Sequence, residues 1–385
     1  MPSSIIRICK QVQMIRIGVT GQSGFIGTHL TNYLGLIRDE VSIIPFRDDY
    51  FLNPSRLAAF VKECDAIVHL AAVNRHHDPE VILQSNVDLV SRLIDAMEET
   101  GSNAHILFSS STQEERDNIF GRSKREGREM LARFAEKSGI LFTGMIIPNV
   151  FGPFGTPYYN SVVATFCHQL THNETPIIQE DAKLKLIYVG DLVKTIYKLI
   201  ADKLSDKEYK IIPTYETRVS DILNCLQIYK KLYYDSGIIP DLSDSFNRDL
   251  FNTFLCYIDH AGHFPFSLNR HEDKRGAFVE IMKMQSGGQV SFSTTKSGIT
   301  RGNHFHTRKA ERFVVIQGEA SIKLRRIGTE EVKEFEINGE QPAYVDIPVW
   351  HTHNITNIGK GELLTIFWIN EFYDASDPDT YYEEV

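Results

Sequence analysis

The chain has 385 residues, a formal net charge of −9 and 42% hydrophobic residues. This length predicts two domains, and the negative charge argues against nucleic acid or an anionic membrane surface as a general partner. The sequence contains no run of eighteen apolar residues, the length needed to span a membrane. Its five scattered cysteines, without a C-x-x-C pair, indicate free thiols in a reducing cytoplasm.

The first thirteen residues are too short and too polar for a signal peptide. We interpret them as an extension of the chain or as the result of an alternative start, because a much better strand begins after Met14.

A glycine-rich turn follows the first predicted strand, Ile15 to Thr20. Gly21, Gly24 and Gly27 have the spacing G-x-x-G-x-x-G, and a helical pattern begins inside the turn. Such glycines let the backbone approach a pyrophosphate, which then binds at the helix N-terminus. The strand–turn–helix context favours nucleotide binding over an ordinary tight turn. The residues expected at this cofactor site are Gly21, Ser23, Gly24, Phe25, Ile26, Gly27, Arg47, Leu70, Ala71, Ala72 and Lys124.

The second predicted strand, Val41 to Phe46, is followed by Arg47 and Asp48. A guanidinium group suits the 2′-phosphate of NADP(H), whereas an acid at this place binds the ribose 2′-hydroxyl of NAD(H). Because Arg47 comes first, we predict NADP(H). The alternative is a solvated Arg47 with Asp48 on the ribose.

Further apolar runs and amphipathic segments continue a βαβ series. Asn86 lies on one of the predicted helices, where a surface amide is the simplest interpretation. The strands are expected at 65–72, 104–111 and 140–148, and the helices at 79–100 and around Lys124. Beyond them we predict helices at 160–171, at 191–202 with Asp191 as N-cap, and at 218–235, and a strand at 183–189. The series predicts a doubly wound α/β, Rossmann-type domain over residues 14–260.

From residue 275 onward the sequence changes to short strands separated by glycine and asparagine turns. Such strands are expected at 290–293, 313–316, 320–325, 343–347 and 363–369. This spacing predicts an all-β jelly roll or antiparallel barrel over residues 261–385.

Two histidines lie at the centre of this second domain. His304 and His306 are one residue apart on a predicted strand, so their side chains share a face. With Glu311 and His353 they offer the donor set of a divalent-metal site, for which zinc is the first candidate. The alternative for each histidine alone is an ordinary strand position, and His351 could compete with His353.

The same residues carry a resemblance to the cupin fold. Gly298, His304, His306, Glu311 and Gly318 match G-x5-H-x-H-x4-E-x6-G, and the second motif, P-x-G-x-x-H-x3-N, is matched by Pro348, His353 and Asn357. Trp350 stands where that second motif has glycine, and a bulky residue there is expected to reshape the turn that aims His353. The phrases DKRGAFVEI and TRGNHFH are similar to the deoxysugar 3,5-epimerases, and the motif positions put Lys296, Arg301 and Tyr344 near the site.

The first domain resembles the extended short-chain dehydrogenase/reductases. The likeness is carried by TGQSGFIG, HLAA, the serines at 109–111, Lys124 and PNVFGP. It implies that Ser111 binds the substrate carbonyl and that Lys124 activates a tyrosine four residues earlier. That position is Phe120, which cannot supply a proton. Either Lys124 or a water donates it, or the domain binds its nucleotide without turnover, or an inactivating substitution has been introduced.

A reductase-like domain followed by an epimerase-like cupin resembles the bifunctional CapF-type enzymes of bacterial capsular polysaccharide synthesis. The resemblance implies a UDP-linked 2-acetamido-2,6-dideoxy-4-keto-hexose as substrate. The cupin would epimerise C3 and the first domain would reduce the C4 ketone with NADPH, toward UDP-N-acetyl-L-fucosamine. A homodimer is expected through edge strands of the cupin.

Two alternatives stay open. The first is a cupin epimerase beside a nucleotide-binding domain that Phe120 has made silent as a reductase. The second is a non-catalytic scaffold that binds a sugar nucleotide or a metal.

Overall fold

A computed structural model describes residues 14–274 and 276–385 of the chain. The predicted N-terminal extension, with Cys9, lies outside the described residues, as does Arg275. In the part of the chain that is described, no helix combines the length and apolar character needed to cross a membrane. Its four cysteines, at positions 64, 167, 225 and 256, form no disulfide with one another.

The chain divides into two compact units and passes between them more than once. The first contains the described residues up to Val150 together with Ile187–Thr214, and the second contains Phe151–Leu186 and Tyr215–Val385. The boundary predicted after residue 260 lies inside the second unit, where helices give way to strands. It remains a prediction about where the two kinds of fold meet.

Strands and helices alternate through the first half of the chain. In chain order they are β1 (Ile15–Thr20), α1 (Phe25–Leu36), β2 (Val41–Ile44), α2 (Pro54–Glu63), β3 (Ala66–His69), α3 (Pro79–Thr100), β4 (His105–Ser111), α4 (Ile119–Ser138), β5 (Phe142–Ile147), β6 (Asn149–Phe151), α5 (Val162–Thr171), β7 (Lys183–Tyr188), α6 (Val189–Ala201) and β8 (Asp206–Lys210). Short 3₁₀ helices cover Asp48–Leu52 and Thr112–Glu115.

A six-stranded parallel sheet organises the first unit, in the order β2-β1-β3-β4-β5-β8. Its inner strands are apolar on both faces because helices cover both, whereas the edge strand β8 is polar and mostly exposed. One core lies under α2, α3 and α4, and the other lies under α1 and α6. The strand order reverses direction between β1 and β3, so the carboxyl ends of these two strands border the crevice where such sheets bind ligands.

Two predictions about single residues of the first half are wrong. Asn86 is buried, at 5% exposure, and its amide bonds both backbone groups of Val73 and the Ser123 hydroxyl, because α3 packs against α4 there. Asp191 is not the N-cap of α6. The helix begins two residues earlier, with Tyr188 at the N-cap and Asp191 in its first turn.

The second half of the chain is mostly strands. In chain order its elements are β9 (Tyr215–Arg218), α7 (Val219–Tyr229), β10 (Ile238–Ile239), α8 (Ser245–Leu255), α9 (His260–His263), β11 (Phe266–Ser267), β12 (Arg270–Asp273), β13 (Gly276–Val279), β14 (Lys283–Met284), β15 (Gln289–Thr295), β16 (Thr300–Phe305), β17 (Glu311–Gln317), β18 (Glu319–Arg326), β19 (Val332–Asn338), β20 (Ala343–Ile347), β21 (His351–Asn357), β22 (Leu363–Ile369) and β23 (Tyr381–Tyr382). A π-helical turn, Lys230–Tyr234, extends α7.

Two five-stranded antiparallel sheets form the barrel of the second unit. Their orders are β11-β20-β17-β22-β15 and β19-β18-β21-β16-β23. Along β17, Phe313 and Val315 point into the barrel, on the same face as Glu311, because side chains alternate along a strand. The predicted α/β domain and the predicted all-β jelly roll are both confirmed.

Candidate functional site

The structure brings all four predicted metal ligands together inside the barrel. His304 lies on β16 opposite His353 of β21, and His306 follows directly after β16. Glu311 opens β17 and approaches from the other sheet. One ligand atom from each of the four lies within 4.8 Å of every other.

Backbone carbonyls fix the orientation of two of the imidazole rings. The Nδ1 atom of His353 lies 3.2 Å from the carbonyl of His351, and that of His306 bonds the carbonyl of Asp379. Because a carbonyl can only accept, each Nδ1 carries a hydrogen, and Nε2 is the ring nitrogen left to bind a metal. Such outer contacts are typical of metal-binding histidines.

The donor atoms fit a divalent cation. The Nε2 atoms of His306 and His353 lie 3.2 and 2.9 Å from Oε2 of Glu311. All three atoms are buried and have no well-formed hydrogen bond among the described residues. Electron-pair donors packed this closely repel one another unless a proton or a metal cation lies between them. Three imidazoles and one carboxylate form a shell that zinc and other divalent transition metals accept.

The charges of the cluster agree with this interpretation. Burial, followed by the nearby His353 and His306, lowers the pKa of His304 to about 4, so this ring is neutral at pH 7. Burial alone raises the pKa of Glu311, but the close His306 and His353 hold it well below its usual value. The cluster therefore keeps a carboxylate ionised in a buried place, which favours a cation beside it.

Trp350 keeps the turn before His353 in the conformation that glycine would adopt. Its φ of 60° is left-handed, its N–H donates to the carbonyl of His306 at 2.7 Å, and its ring stacks on Phe305 at 5.7 Å. His351 lies outside the set of ligand atoms. Its Nδ1 contacts the carbonyl of Val349, and its ring stacks on His260.

Tyr344 does not lie near the ligands, contrary to the expectation from its motif position. It is paired with Val314, whose side chain points to the opposite face of β17 from Glu311. Its ring lies 3.7 Å from the guanidinium carbon of Arg312, outside the barrel interior. Lys296 and Arg301 are both exposed.

The glycine-rich turn lies at the reversal point of the parallel sheet. Gly21 has a φ of 72°, and a Cβ atom there would come within 2.8 Å of the backbone nitrogen of Ala71, after β3. A Cβ on Gly27 would lie 2.2 Å from the carbonyl oxygen of Gly21. Both glycines are therefore required for the turn to pack against α1 and the loop after β3. This is the geometry in which a backbone can approach a pyrophosphate.

The residues after β2 border this turn. Ser23 bonds the carboxylate of Asp48, at 3.4 Å, and the Gln22 amide donates to the carbonyl of Phe46. The side chain of Arg47 is 72% exposed and lies 3.1 Å from Asp49. Arg47 and Asp48 thus both lie at the place where a ribose or its 2′-phosphate would be recognised.

Lys124 is buried on the inner side of α4, one helical turn after Phe120. Its Nζ atom lies 3.4 Å from the Ser109 hydroxyl and 5.9 Å from the centroid of the Phe120 ring. Burial lowers the pKa of Lys124 to about 8, and Glu114 partly opposes this shift.

The structure does not bring Ser111 into contact with Lys124. The Ser111 hydroxyl accepts from the backbone N–H of Gln113, at 3.2 Å, and caps the 3₁₀ helix there. Ser109, from the same run of serines, is the hydroxyl that Lys124 contacts. Strand alternation puts both Ser109 and Ser111 on one side of β4, so the sequence alone did not distinguish them.

Known families match both halves of the chain. A family model described as the NAD dependent epimerase/dehydratase family matches residues 17–212, and one described as the polysaccharide biosynthesis C-terminal domain matches residues 271–381. A protein of Pseudomonas aeruginosa strain PA103, named UDP-2-acetamido-2,6-beta-L-arabino-hexul-4-ose reductase, is 35% identical over 370 residues, which are 95% of this chain and 98% of that protein.

Two solved structures are also similar to this chain. The capsular polysaccharide assembling protein CapF from Staphylococcus aureus is 32% identical with a TM-score of 0.61, over 96% of this chain and 100% of that chain. The structure of RMD from Pseudomonas aeruginosa, complexed with NADPH, is similar in fold, at 22% identity and a TM-score of 0.50, over 57% of this chain and 83% of that chain.

Proposed function

The chain belongs to the NAD dependent epimerase/dehydratase family, among the CapF-type sugar-nucleotide enzymes of polysaccharide biosynthesis, and on this premise we propose that it both epimerises and reduces one UDP-linked keto-sugar. The substrate is a UDP-2-acetamido-2,6-dideoxy-4-keto-hexose, which is inverted at C3 and then reduced at C4, toward UDP-N-acetyl-L-fucosamine. The observation that carries the proposal is the convergence of His304, His306, Glu311 and His353 in a chain that also has a dinucleotide-type turn.

The barrel half supplies the epimerisation. When bound, a divalent metal would supply Lewis acidity to the ketone oxygen, which makes the neighbouring C3 proton removable. The chain contributes three imidazoles and the ionised Glu311 to hold it. The Phe313 ring lies 5.3 Å from that of His353 and forms an apolar wall that strengthens electrostatic interactions at the site.

The first unit supplies the reduction. When bound, NADPH would supply a hydride for C4, and the alkoxide formed there would need one proton. Phe120 has none to give, whereas Lys124 has a pKa of about 8 and contacts the Ser109 hydroxyl. We assign proton delivery to Lys124, directly or through Ser109 or a water. Arg47 supports NADPH as the hydride donor because its guanidinium suits a 2′-phosphate.

The two steps have a necessary order. Epimerisation at C3 depends on the C4 ketone, and reduction removes that ketone. Reduction therefore fixes the configuration that the barrel has produced.

The test is NADPH oxidation with the UDP-linked 4-keto-6-deoxy-N-acetylhexosamine in deuterated water, with the product analysed by NMR. We expect a reduced sugar that carries deuterium at C3. The matched control is Glu311→Gln, which keeps the shape of the side chain and removes its charge, and which should abolish the exchange.

The other outcomes distinguish the alternatives. Deuterated ketone without NADPH consumption would indicate an epimerase with a silent reductase, the candidate that Phe120 favours. Neither exchange nor oxidation would overturn the enzymatic proposal and favour a binding scaffold.

A further inference from the structure

Asp379 is a buried acid near the end of the chain, and it contacts the loop that follows His306. The side chain is 2% exposed. Its carboxylate accepts from the backbone N–H groups of Thr307, Arg308 and Lys309, at 3.2, 3.0 and 3.2 Å, and from the Thr307 hydroxyl at 2.6 Å. A buried carboxylate is costly unless it is fully hydrogen-bonded, and these four donors meet that need.

The main chain of Asp379 contacts His306 itself. Its carbonyl accepts the Nδ1 hydrogen of that ring, so it selects the tautomer whose Nε2 faces Glu311. The residue has a φ of 44°, a left-handed conformation that Asp, Asn and Gly adopt more readily than other residues. One residue thus fixes both the ring of a ligand and the loop that carries it.

The residues after Asp379 contact the strands of two other ligands. Tyr382 of β23 lies opposite His304 on β16, and the Glu383 N–H donates to the carbonyl of Asn303 at 3.1 Å. Toward β21, the Thr352 hydroxyl, next to His353, donates to the carbonyl of Glu383.

The segment is also fastened at both of its ends. Lys309, at 2% exposure, donates to the carbonyl of Pro378 at 2.8 Å. At the other end, Arg325 donates to the carbonyl of Glu384 at 2.7 Å. The polar contacts of this segment thus involve His306 itself, the strand of His304 and the residue next to His353.

We propose that residues 378–384 form a C-terminal clasp that holds the three histidines in their metal-binding geometry, with Asp379 as the positioning residue for His306. This inference rests on the proposed metal function of the barrel. The clasp acts on the metal through the ligands that it positions. Contacts of this kind typically change metal affinity about 10–100-fold when they are removed.

The decisive variant is Asp379→Gly. Glycine tolerates the left-handed backbone, so the change removes the carboxylate without adding strain. We expect zinc affinity, measured by chelator competition, to fall about 10–100-fold. The visible spectrum of the cobalt-substituted protein should also change, because the loop after His306 loses its hydrogen bonds to the carboxylate and no longer fixes the position of that ligand. The matched control is Asp374→Asn, an exposed acid of the same C-terminal stretch whose carboxylate accepts from the N–H and the hydroxyl of Ser376. The control should leave both affinity and spectrum unchanged.

Each outcome has a definite meaning. A wild-type chain that binds no metal would overturn the proposed metal function and this inference with it. A wild type that binds metal, together with an Asp379→Gly variant of equal affinity and spectrum, would overturn the clasp alone. If Asp379→Gly does not fold, Asp379→Asn serves instead, since its amide oxygen still accepts hydrogen bonds but lacks the charge. A smaller loss in the same direction is then expected, and unchanged metal binding would contradict the proposal.

Discussion

Phe120 and Lys124 lie one turn apart at the start of α4, where the extended reductases have a tyrosine–lysine pair. The Phe120 ring lies near Lys124 Nζ, at 5.9 Å to its centroid, so a hydroxyl on this ring would feel the charge of the amine. The amine would stabilise a phenolate through its charge. The hydroxyl that the resembled family has at this position is thus absent here.

We therefore expect Phe120→Tyr to increase NADPH oxidation with the keto-sugar, on the order of 10²–10⁴-fold if proton transfer limits the wild type. The steady-state rate of NADPH oxidation measures the gain. The matched control is Phe120→Tyr combined with Lys124→Met, which should lose the gain because the phenol no longer has its neighbouring charge. A wild type that is already fast, and that Phe120→Tyr does not improve, would contradict the assignment.

Lys124 is also predicted to lower the stability of the free protein. Its folded pKa of about 8 lies below the ordinary 10.5, so the unfolded chain binds more protons between these values and stability rises with pH across that window. Below pH 8 the buried, charged amine lowers the free energy of unfolding by the full amount, about 3 kcal/mol. We expect Lys124→Met to raise the free energy of unfolding at pH 7 by up to this amount, with a smaller gain at pH 10.

Urea denaturation of the cofactor-free protein at the two pH values tests this prediction. Lys137→Met is the control, because Lys137 is an exposed lysine of the same helix. A gain that does not change with pH would mean that the charge of Lys124 carries no penalty.

At the residue scale, the sequence predicted side chains whose geometry follows from local spacing. His304, His306, Glu311 and His353 lie at motif intervals, and the structure brings them together. Asp379 was not predicted, since it meets His306 only through a contact 73 residues apart. Ser109 was not distinguished from Ser111, because the choice depends on a local cap rather than on strand periodicity.

At the scale of elements, a buried ion pair joins the helical part of the second unit to the barrel. Arg312 of β17, at 1% exposure, bonds both carboxylate oxygens of Asp346 on β20 at 2.8 Å and the carbonyl of Gly237 at 2.8 Å. Tyr233 of the π-helical turn donates to the same carboxylate. The strands and the turn after α7 are thus held by one shared cluster.

Removal of one member of the Arg312–Asp346 pair should lower the free energy of unfolding. We expect Asp346→Ala to lower the free energy of unfolding by about 3–5 kcal/mol, because it leaves Arg312 charged, buried and without its carboxylate. Urea denaturation measures the change. Glu216→Gln, which removes an exposed pair with Lys183, is the control and should cost less than about 1 kcal/mol. A loss as small as that of the control would mean that the cluster contributes little to stability.

The sequence predicted which segments form helices and which form strands, but it did not predict which of these elements pack against one another. Apolar alternation and turn residues predicted β22 with its observed bounds, 363–369, and predicted α7 with its π-helical extension as one helix over 218–235. Periodicity does not say what an apolar face packs against. The packing of α7 with the barrel strands, through Tyr233 and Asp346, therefore could not be anticipated.

At the scale of the whole molecule, the predicted homodimer has a candidate surface on β15. This strand lies at the edge of its sheet, and its Val290 and Phe292, on one face, are 52% and 72% exposed. Edge strands with exposed apolar side chains are avoided unless another chain covers them. We propose that a second copy does so.

Phe292→Lys should then shift the protein from dimer to monomer, because a charge would be buried in the contact. Analytical ultracentrifugation over a range of concentrations measures the mass. Ile212→Lys, at an apolar residue of the first unit that is 80% exposed, is the control and should leave the mass unchanged. A Phe292→Lys protein that stays dimeric would exclude this edge.

The division of the chain into two interleaved units affects the order in which the protein can fold on the ribosome. The parallel sheet needs β8, so it can close only after residue 210 has left the exit tunnel. By then α5 has long been made, but its packing partners α7 and α8 come later, after residue 218. Residues such as Phe166 and Leu170, which are buried in the folded protein, therefore stay exposed to solvent until the rest of the second unit has been synthesised. At this stage of synthesis the parallel sheet is complete, but the apolar helix α5 still lacks its packing partners. A chaperone that covers exposed apolar residues would therefore be most effective at this stage.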